Sequence, residues 1–408
     1  MGIQVKLALR NVFRNRRRTA ITLAAMAFGA SSIILFGGFV NFIFISVRES
    51  TIKSQVGHIQ LYRKGFFEKG SAAPNDYMIA NFEEIRALAK GIEHVKDVIP
   101  RLGFSGLVST GETTTSFVGS GGNPEGEEGL SSFTRIVEGK ALSSSDPRGV
   151  TLGLGMARGL GVKEGDSLTL LATTKNGGIN ALAVKVRGIW ESGEKAYDDR
   201  LLKAPIQEVQ RLLDNEGEVQ SIVLLLDNTE NTGIVRDHLA ALIRDRGFDL
   251  EIKTWEDLAL RYHQVRDLFS KIFNVMALIV SFIVVLGIAN TMTMSIFERT
   301  REIGTIMALG TRRSGVISMF LLEGIVLGVL GGILGTVAGV VIAKAVSYVG
   351  IPMPPPPGST RGFIAQILIV PAVLAKAFRL SLIAAILSSL YPAWRASRLN
   401  ITEALRHV

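Results

Sequence analysis

The stretch KIFNVMALIVSFIVVLGIANTMTMSIFERTREIGTIMALGTRRSGVISMFLLEGIVLGVLGGILGTVAGVVIAK (271–344) decides the fold. It holds 26 uncharged residues between Lys271 and Glu298, then a short charged segment, then 30 residues up to Lys344 broken only by Glu323. About 20 apolar residues cross a bilayer as a helix, so this stretch is two spans joined by a tight loop. The same reading applied outward finds 29 uncharged residues between Arg18 and Arg48, and an apolar run from Pro371 to Tyr391 carrying only Lys376 and Arg379. Those two cations can snorkel to an interface. The mean hydropathy of +0.32 beside 20% charged residues follows from this blockwise arrangement. The first apolar run is too long for a cleaved signal and reads as an uncleaved anchor. As a helix it would extend ~43 Å, against a ~30 Å hydrocarbon core.

The expected organisation is a cytoplasmic basic N-terminal helix (1–18), a first transmembrane helix (19–47) and an extracytoplasmic domain with a helical stalk (48–270). A second span (271–297), a short-helix loop (298–313) and a third span (314–343) follow. A Pro-rich outer loop (344–370), a fourth span (371–392) and a tail (393–408) complete the chain. The flanks 1–18, 298–313 and 393–408 together carry thirteen Lys and Arg against three acids, which leaves the rest of the chain near neutral although the total is +9. This is the positive-inside pattern, with both termini cytoplasmic. It accounts for the basic excess without nucleic acid. The absence of cysteine excludes disulfides, thiolate metal sites and a thiol nucleophile.

The 223 residues of 48–270 suffice for a core of their own. HIQLY (58–62) reads as a strand and NFEEIRALAKGI (81–92) as a helix N-capped by Asn81. DVIPRLGFSGLVST (97–110) with TTTSFVGS (113–120), and LTLLATT (168–174) with ALAVKVRGIW (181–190), read as hairpins. SIVLLL (221–226) is a buried strand, followed by a helix over 232–247. The Gly/Glu-rich 121–129 reads as a loop. The expected class is an α-helical membrane protein of four transmembrane helices plus an extracytoplasmic α+β domain, in two lobes. From Trp255 the pattern turns helical. Leu258, Tyr262, Val265, Phe269, Ile272 and Met276 are spaced 4-3-4-3-4 without a break into span two. That fits either a stalk seam packing on a second helix or an amphipathic helix covering the domain.

No Gly-x-x-x-x-Gly-Lys-Ser/Thr occurs, so no P-loop is present in the chain. GLGMARG (153–159) misses the dinucleotide spacing by one residue and reads as a short helix after a strand. His58, His94, His238 and His263 lie far apart and read as surface or locally bonded residues rather than metal ligands. No catalytic constellation is found. In span three, Gly324, Gly328 and Gly332 form one i,i+4 ridge, and Gly331, Gly335 and Gly339 form another. Both suit close helix approach to spans two or four. Glu323 is an intramembrane acid, expected to pair with an arginine of the loop or to sit near the interface. PMPPPPG (352–358) must be extended. Tyr391 and Trp394 suit an interfacial belt.

ERTREIGTIMALG (298–310), the Gly-rich span after it, YPAWRASRLNITEAL (391–405), ALRNVFRNRRRTAITL (8–23) and LGVKEGDSLTL (160–170) together resemble the FtsX/MacB/LolC–LolE permeases. These are the membrane subunits of type VII ABC transporters, with a MacB-like periplasmic core domain. The resemblance covers the whole chain in order. It implies that the helix at about Arg301–Gly310 docks on a separate ATPase subunit, present in two copies, which binds ATP and Mg while this chain binds no cofactor. Glu298, Arg299, Arg301, Glu302, Gly304 and Gly310 match the family motif. Arg301 and Glu302 are then the expected polar contacts, and Ile303 and Met307 the apolar knobs. It also implies a dimer with a second permease copy or paralogue, contacting through spans one and two and the stalk. The implied setting is the bacterial inner membrane. The implied work is a mechanical one, in which ATP-driven helix motion reaches the periplasmic domain and acts on a lipoprotein or other periplasmic protein. Only 18 residues precede span one, whereas MacB carries a fused ATPase at its N-terminus. The large outer domain is nearest in layout to the lipoprotein-releasing LolC/LolE branch. FtsX-like signalling and MacB-like efflux of amphiphiles are the alternatives.

Overall fold

The computed structural model describes residues 10–70, 73–130, 134–143, 146–355, 360 and 362–406. It divides into two compact units. One comprises Met1–Ile45, Val265–Met353 and Ile364–Val408; the other comprises Ser46–Gln264 and Pro354–Phe363.

Four helices of the first unit are long and apolar enough to cross a membrane. Their helical bounds are Arg16–Thr51 (span one), Leu260–Glu298 (span two), Arg313–Val349 (span three) and Pro371–Ala396 (span four). Spans one to three run longer than their charge-free cores, because nothing in their flanks breaks a helix. The two glycine ridges of span three face different neighbours. A Cβ on Gly324 would lie 2.5 Å from Ser389 Oγ, one on Gly328 3.0 Å from Ala385 Cβ, and one on Gly332 2.8 Å from Phe378. This ridge therefore packs on span four. A Cβ on Gly331 would lie 2.8 Å from Met26, one on Gly335 2.5 Å from Ala30 Cβ, and one on Gly339 3.0 Å from Ile34. The second ridge packs on span one, where Ser31 Oγ also donates to Gly335 O at 3.0 Å. The first ridge thus meets span four, as expected, whereas the second meets span one, which the spacing did not indicate. Span two is the least buried span, with 17% of its apolar window inside against 33–39% for the others.

The second unit is built on one ten-stranded sheet. Its strands are β1 (Ile59–Arg63), β2 (Val95–Ser109), β3 (Thr114–Gly122), β4 (Arg135–Gly139), β5 (Gly149–Gly153), β6 (Ser167–Thr173), β7 (Ile179–Glu191), β8 (Leu201–Pro205), β9 (Ser221–Leu226) and β10 (Leu250–Thr254). The order is β10-β1-β9-β2-β3-β8-β5-β7-β4, with β6 pairing β2 and β7. Both expected hairpins form: β2 pairs β3 with Leu107 opposite Ser116, and β6 pairs β7 with Leu170 opposite Leu182. The first turns at Gly111, whose φ of +96° suits glycine. Every residue of β9 is buried, as its unalternating apolar run requires. β6 alternates and buries Leu168, Leu170 and Ala172. Helices Phe82–Lys90, Ile206–Leu213 and Thr232–Arg246 add Ile85, Val209, Leu212, Val235 and Leu239 to the same core. One continuous sheet replaces the two lobes expected, and one large cluster holds most of the buried apolar residues. Asn81 makes no side-chain cap to the first of these helices.

Two local expectations fail. Residues Pro124–Leu130 are a helix, not a loop. Pro124 opens it, where a missing N–H costs nothing, and Leu130 closes it into a pocket of Ile99, Val223 and Leu225. The helix from Trp255 is also broken. Trp255–Leu258 is a separate turn capped by Thr254 and Asp257, and Ala259 (φ −89°, ψ 58°) leaves helical geometry before Leu260. The expected helix after the strand at 149–153 is present at Leu154–Leu160. Pro356–Gly358 of the Pro-rich stretch lie outside the described residues.

His58 is 2% exposed. The Leu226 N–H donates to its Nδ1 at 3.1 Å, and Nε2 lies 3.2 Å from Thr229 Oγ1, which donates to Glu49 at 2.9 Å. Burial pushes the His58 pKa down to about 4, against the opposing pull of the Glu49 carboxylate. The unfolded chain takes up this proton below pH ~6.5 and the folded one does not. Stability therefore falls as pH drops from ~6.5 towards 4, by up to about 3 kcal/mol, and levels off below. Melting midpoints of the wild type and His58→Gln, taken across pH 7.5 to 4, check this. The variant should lose at least half of the pH dependence, and an unchanged slope would rule His58 out as its source.

Candidate functional site

The charged loop after span two folds as expected into a short helix, Thr300–Ala308. It ends because Gly310 adopts φ +95°, which lets Gly310 N reach Met307 O at 3.1 Å and Thr311 N reach Ile306 O at 3.2 Å. Its root is a buried ion pair. Arg299 Nη1 meets Glu323 Oε1 of span three at 2.7 Å, with both residues under 9% exposed. Asn11 Nδ2 donates to the same carboxylate oxygen at 2.8 Å, and Arg299 lies over the Phe320 ring at 5.7 Å. Arg299 Nε also reaches Glu302 at 3.3 Å. The N-terminal segment closes the network: Arg14 binds Glu302 at 2.8 Å and Arg18 pairs with Glu298. Partial burial raises the Glu302 pKa, but the hydrogen bonds from Arg14 and Arg299 outweigh it and hold the carboxyl below its ordinary value. Three segments distant in sequence are thus joined by charge: 11–18, 298–302 and Glu323.

Burial sorts the expected contact residues. Ile303 is 1% exposed, in a cluster with Ile296, Val316, Phe320, Ala393 and Ala396, and Met307 packs against it. Gly304 is buried as well. Ile303 is therefore core rather than a docking knob: at 3.6 residues per turn the 303/307 side of the helix faces its own bundle. The apolar side chains left outside are Ile306 (36% exposed) and Leu309 (83%). Arg299 and Glu298 are held inside the network, and Glu302 is exposed but doubly bound. Arg301 is exposed, and among the described residues its guanidinium makes no hydrogen bond or ion pair. Asn11, Arg14 and Arg18 were legible only as basic or polar flank residues.

The proposed stalk seam is not brought together as one strip. Tyr262 packs edge-on against Trp255 at 5.1 Å beside Ile52 and Ala259, and Leu258 is half-buried before the break at Ala259. Val265 and Phe269 are half-buried, whereas Ile272 and Met276 are exposed at 41% and 43%. The unpartnered apolar row on span two is instead Leu268, Ile272, Val275, Ile279, Phe282 and Leu286, again spaced 4-3-4-3-4. Among the described residues no group of three or more His, Asp or Glu is placed to hold a metal ion.

Residues 19–242 match the MacB-like periplasmic core domain, and residues 274–401 match the FtsX-like permease C-terminal domain. The chain belongs to the MacB/FtsX family of ABC transporter permeases. Among its relatives, the macrolide export ATP-binding/permease protein MacB of Sodalis glossinidius is 26% identical over 78% of this chain and 49% of its own length. The pyoverdine export ATP-binding/permease protein PvdT of Pseudomonas syringae is 24% identical over 98% of this chain and 59% of its own. The uncharacterized ABC transporter permease YknZ of Bacillus subtilis is 24% identical, with 99% of this chain and 98% of that one covered. Thus the chain spans about half to three-fifths of the length of the MacB and PvdT relatives. A crystal structure of the periplasmic region of MacB from Actinobacillus actinomycetemcomitans aligns over 52% of this chain and 95% of that one, at 14% identity and a TM-score of 0.40. In this MacB/FtsX-type permease, the 298–310 loop falls inside the FtsX-like match and the ten-stranded sheet begins and all but ends inside the MacB-like one.

Proposed function

We propose that this permease works with a separate ATPase subunit that docks on the exposed edge of the Thr300–Ala308 helix, and that it passes nucleotide-driven movement to its periplasmic domain. The observation that carries this reading is the contrast across one short helix. Its inner side is fixed to span three through Arg299 and Glu323. Its outer side presents Arg301, Ile306 and Leu309. A helix rooted in this way moves with span three when a partner pushes on it, and the glycine ridges carry span three against spans one and four. ATP and Mg belong to the partner in this reading. Orientation follows the basic flanks, with this loop and both termini on the cytoplasmic side. The exposed apolar row of span two suits a second permease copy or paralogue, in an assembly of two permeases and two ATPases.

The cargo in this account is an amphiphile handled at the outer surface. The export names of MacB and PvdT favour a small amphiphile. A lipoprotein is the second reading, favoured by the apolar row of span two, which could receive an acyl chain. Signalling to a periplasmic enzyme, as in FtsX, has no specific observation behind it here. Native mass spectrometry of the chain purified with its ATPase, before and after ATP, tests the reading. The expected result is a two-plus-two assembly that sheds a bound amphiphile on ATP addition, the mass telling lipid-modified protein from small molecule. An assembly that hydrolyses ATP and never carries a ligand would move the function to signalling.

A further inference from the structure

The ends of spans two and four enclose a cleft that the coupling account does not use. It is lined by Thr293, Ile296, Phe297 and Thr300 on one side and by Pro392, Arg395, Ala396 and Leu399 on the other. Its volume is ≈120 Å³, room for about four water-sized groups. The lining is mostly apolar but includes Arg395, and a second cation, Arg398, follows three residues later. Arg395 lies over the Phe297 ring at 5.8 Å, and Arg398 lies over the Trp394 ring at 4.4 Å. Among the described residues no carboxylate pairs with either arginine. The acid nearest in sequence to Phe297, Glu298, is taken by Arg18. Tyr391 and Trp394 are 65% and 46% exposed beside the cleft, as aromatics at a membrane interface are.

An apolar slot at the end of two membrane helices, with unpaired guanidinium groups at its mouth, matches one ligand chemistry. Hydrocarbon fills the slot, and a phosphate accepts hydrogen bonds from the arginines. Basic pockets between transmembrane helices select anionic headgroups on the same grounds. We propose that this cleft is a binding site for an anionic phospholipid, with a stretch of acyl chain against Ile296, Phe297 and Leu399 and the headgroup phosphate on Arg395 and Arg398. Its occupant would brace the end of span four against the end of span two, next to the root of the coupling helix.

The protein carries a built-in reporter. Of its three tryptophans, Trp190 and Trp255 are 2% and 5% exposed, and only Trp394 is open. The full chain is reconstituted in phosphatidylcholine vesicles containing a minor fraction of brominated phosphatidylglycerol or, separately, brominated phosphatidylcholine. Trp394→Phe serves as the blank. The expected result is that the brominated anionic lipid quenches Trp394 at about thirtyfold lower mole fraction than the zwitterionic one, the ratio two basic residues supply. Arg395→Gln with Arg398→Gln, both at exposed positions, should erase that preference, and Arg395→Lys with Arg398→Lys should keep most of it. Equal quenching by the two lipids in the wild type overturns the proposal. So does protection of Trp394 by millimolar inorganic phosphate, which would make the site one for a free anion rather than a lipid.

Discussion

Replacing Arg299 by methionine should destabilise the membrane unit by about 3–5 kcal/mol, the cost of leaving a buried charge without its partner. The charge in question is Glu323, which is 4% exposed and otherwise held only by Asn11 among the described residues. The same reasoning gives the control. Arg299→Met combined with Glu323→Met removes both charges and should recover most of the loss, because well-packed apolar pairs often match or exceed a buried ion pair. Thermal unfolding in a mild detergent, with the two single variants and the double, measures the coupling directly. If the single variants cost less than about 1 kcal/mol, the pair belongs with exposed ion pairs of that size and does not root the helix. The double variant also separates structure from transmission. It should fold, bind the ATPase through Arg301, Ile306 and Leu309, and still lose ATP-driven movement, since the link from loop to span three is then only apolar contact.

A side chain at Gly335 should be the second costly change. An added Cβ would stand 2.5 Å from Ala30 Cβ and 3.0 Å from both Cα and O of Ala27, and backbone cannot yield as a flexible side chain can. Gly335→Leu should push spans one and three apart and break the Ser31–Gly335 hydrogen bond, for a loss of about 3 kcal/mol or more. Gly335→Ala should cost about 1–2 kcal/mol. The internal control is Gly287 of span two, where a Cβ meets nothing within 4 Å, so Gly287→Ala should be tolerated. Melting midpoints of the three variants decide it, and equal tolerance at Gly335 and Gly287 would contradict the packing described here.

The four spans were legible because hydrocarbon sets a length that a run of uncharged residues either meets or does not. The hairpins were legible because Gly111 and the Lys175–Gly178 turn sit between alternating strands. Glycine spacing marked two ridges, but a ridge does not name the helix that fills it. That depends on how spans one and four are arranged about span three, which no local pattern carries. The stalk seam is interrupted at its start for a related reason. A 4-3-4 spacing registers neither a single residue leaving helical φ/ψ, as Ala259 does, nor an aromatic contact such as Tyr262 on Trp255 that absorbs the seam locally. In the loop, the family pattern placed the helix at about Arg301–Gly310, close to the Thr300–Ala308 observed, and Glu323 was expected to pair with a loop arginine or to sit near the interface. Which arginine it would be, and that Ile303 turns inward while Leu309 turns out, follow from the packing of Phe320 and Ala393 against the helix. The exposed and buried sides of a nine-residue helix with four apolar residues cannot be told apart by periodicity alone.

The outer edge of the 300–308 helix is the proposed binding surface for the ATPase subunit. A photoreactive amino acid placed singly at Ile306, Leu309 and Gly287 tests it most directly, in cells that express the chain with its ATPase. The account predicts that Ile306 and Leu309 crosslink to the nucleotide-binding subunit and that Gly287, in the middle of span two, does not. Failure of both loop positions while other sites on the permease capture the ATPase would contradict it.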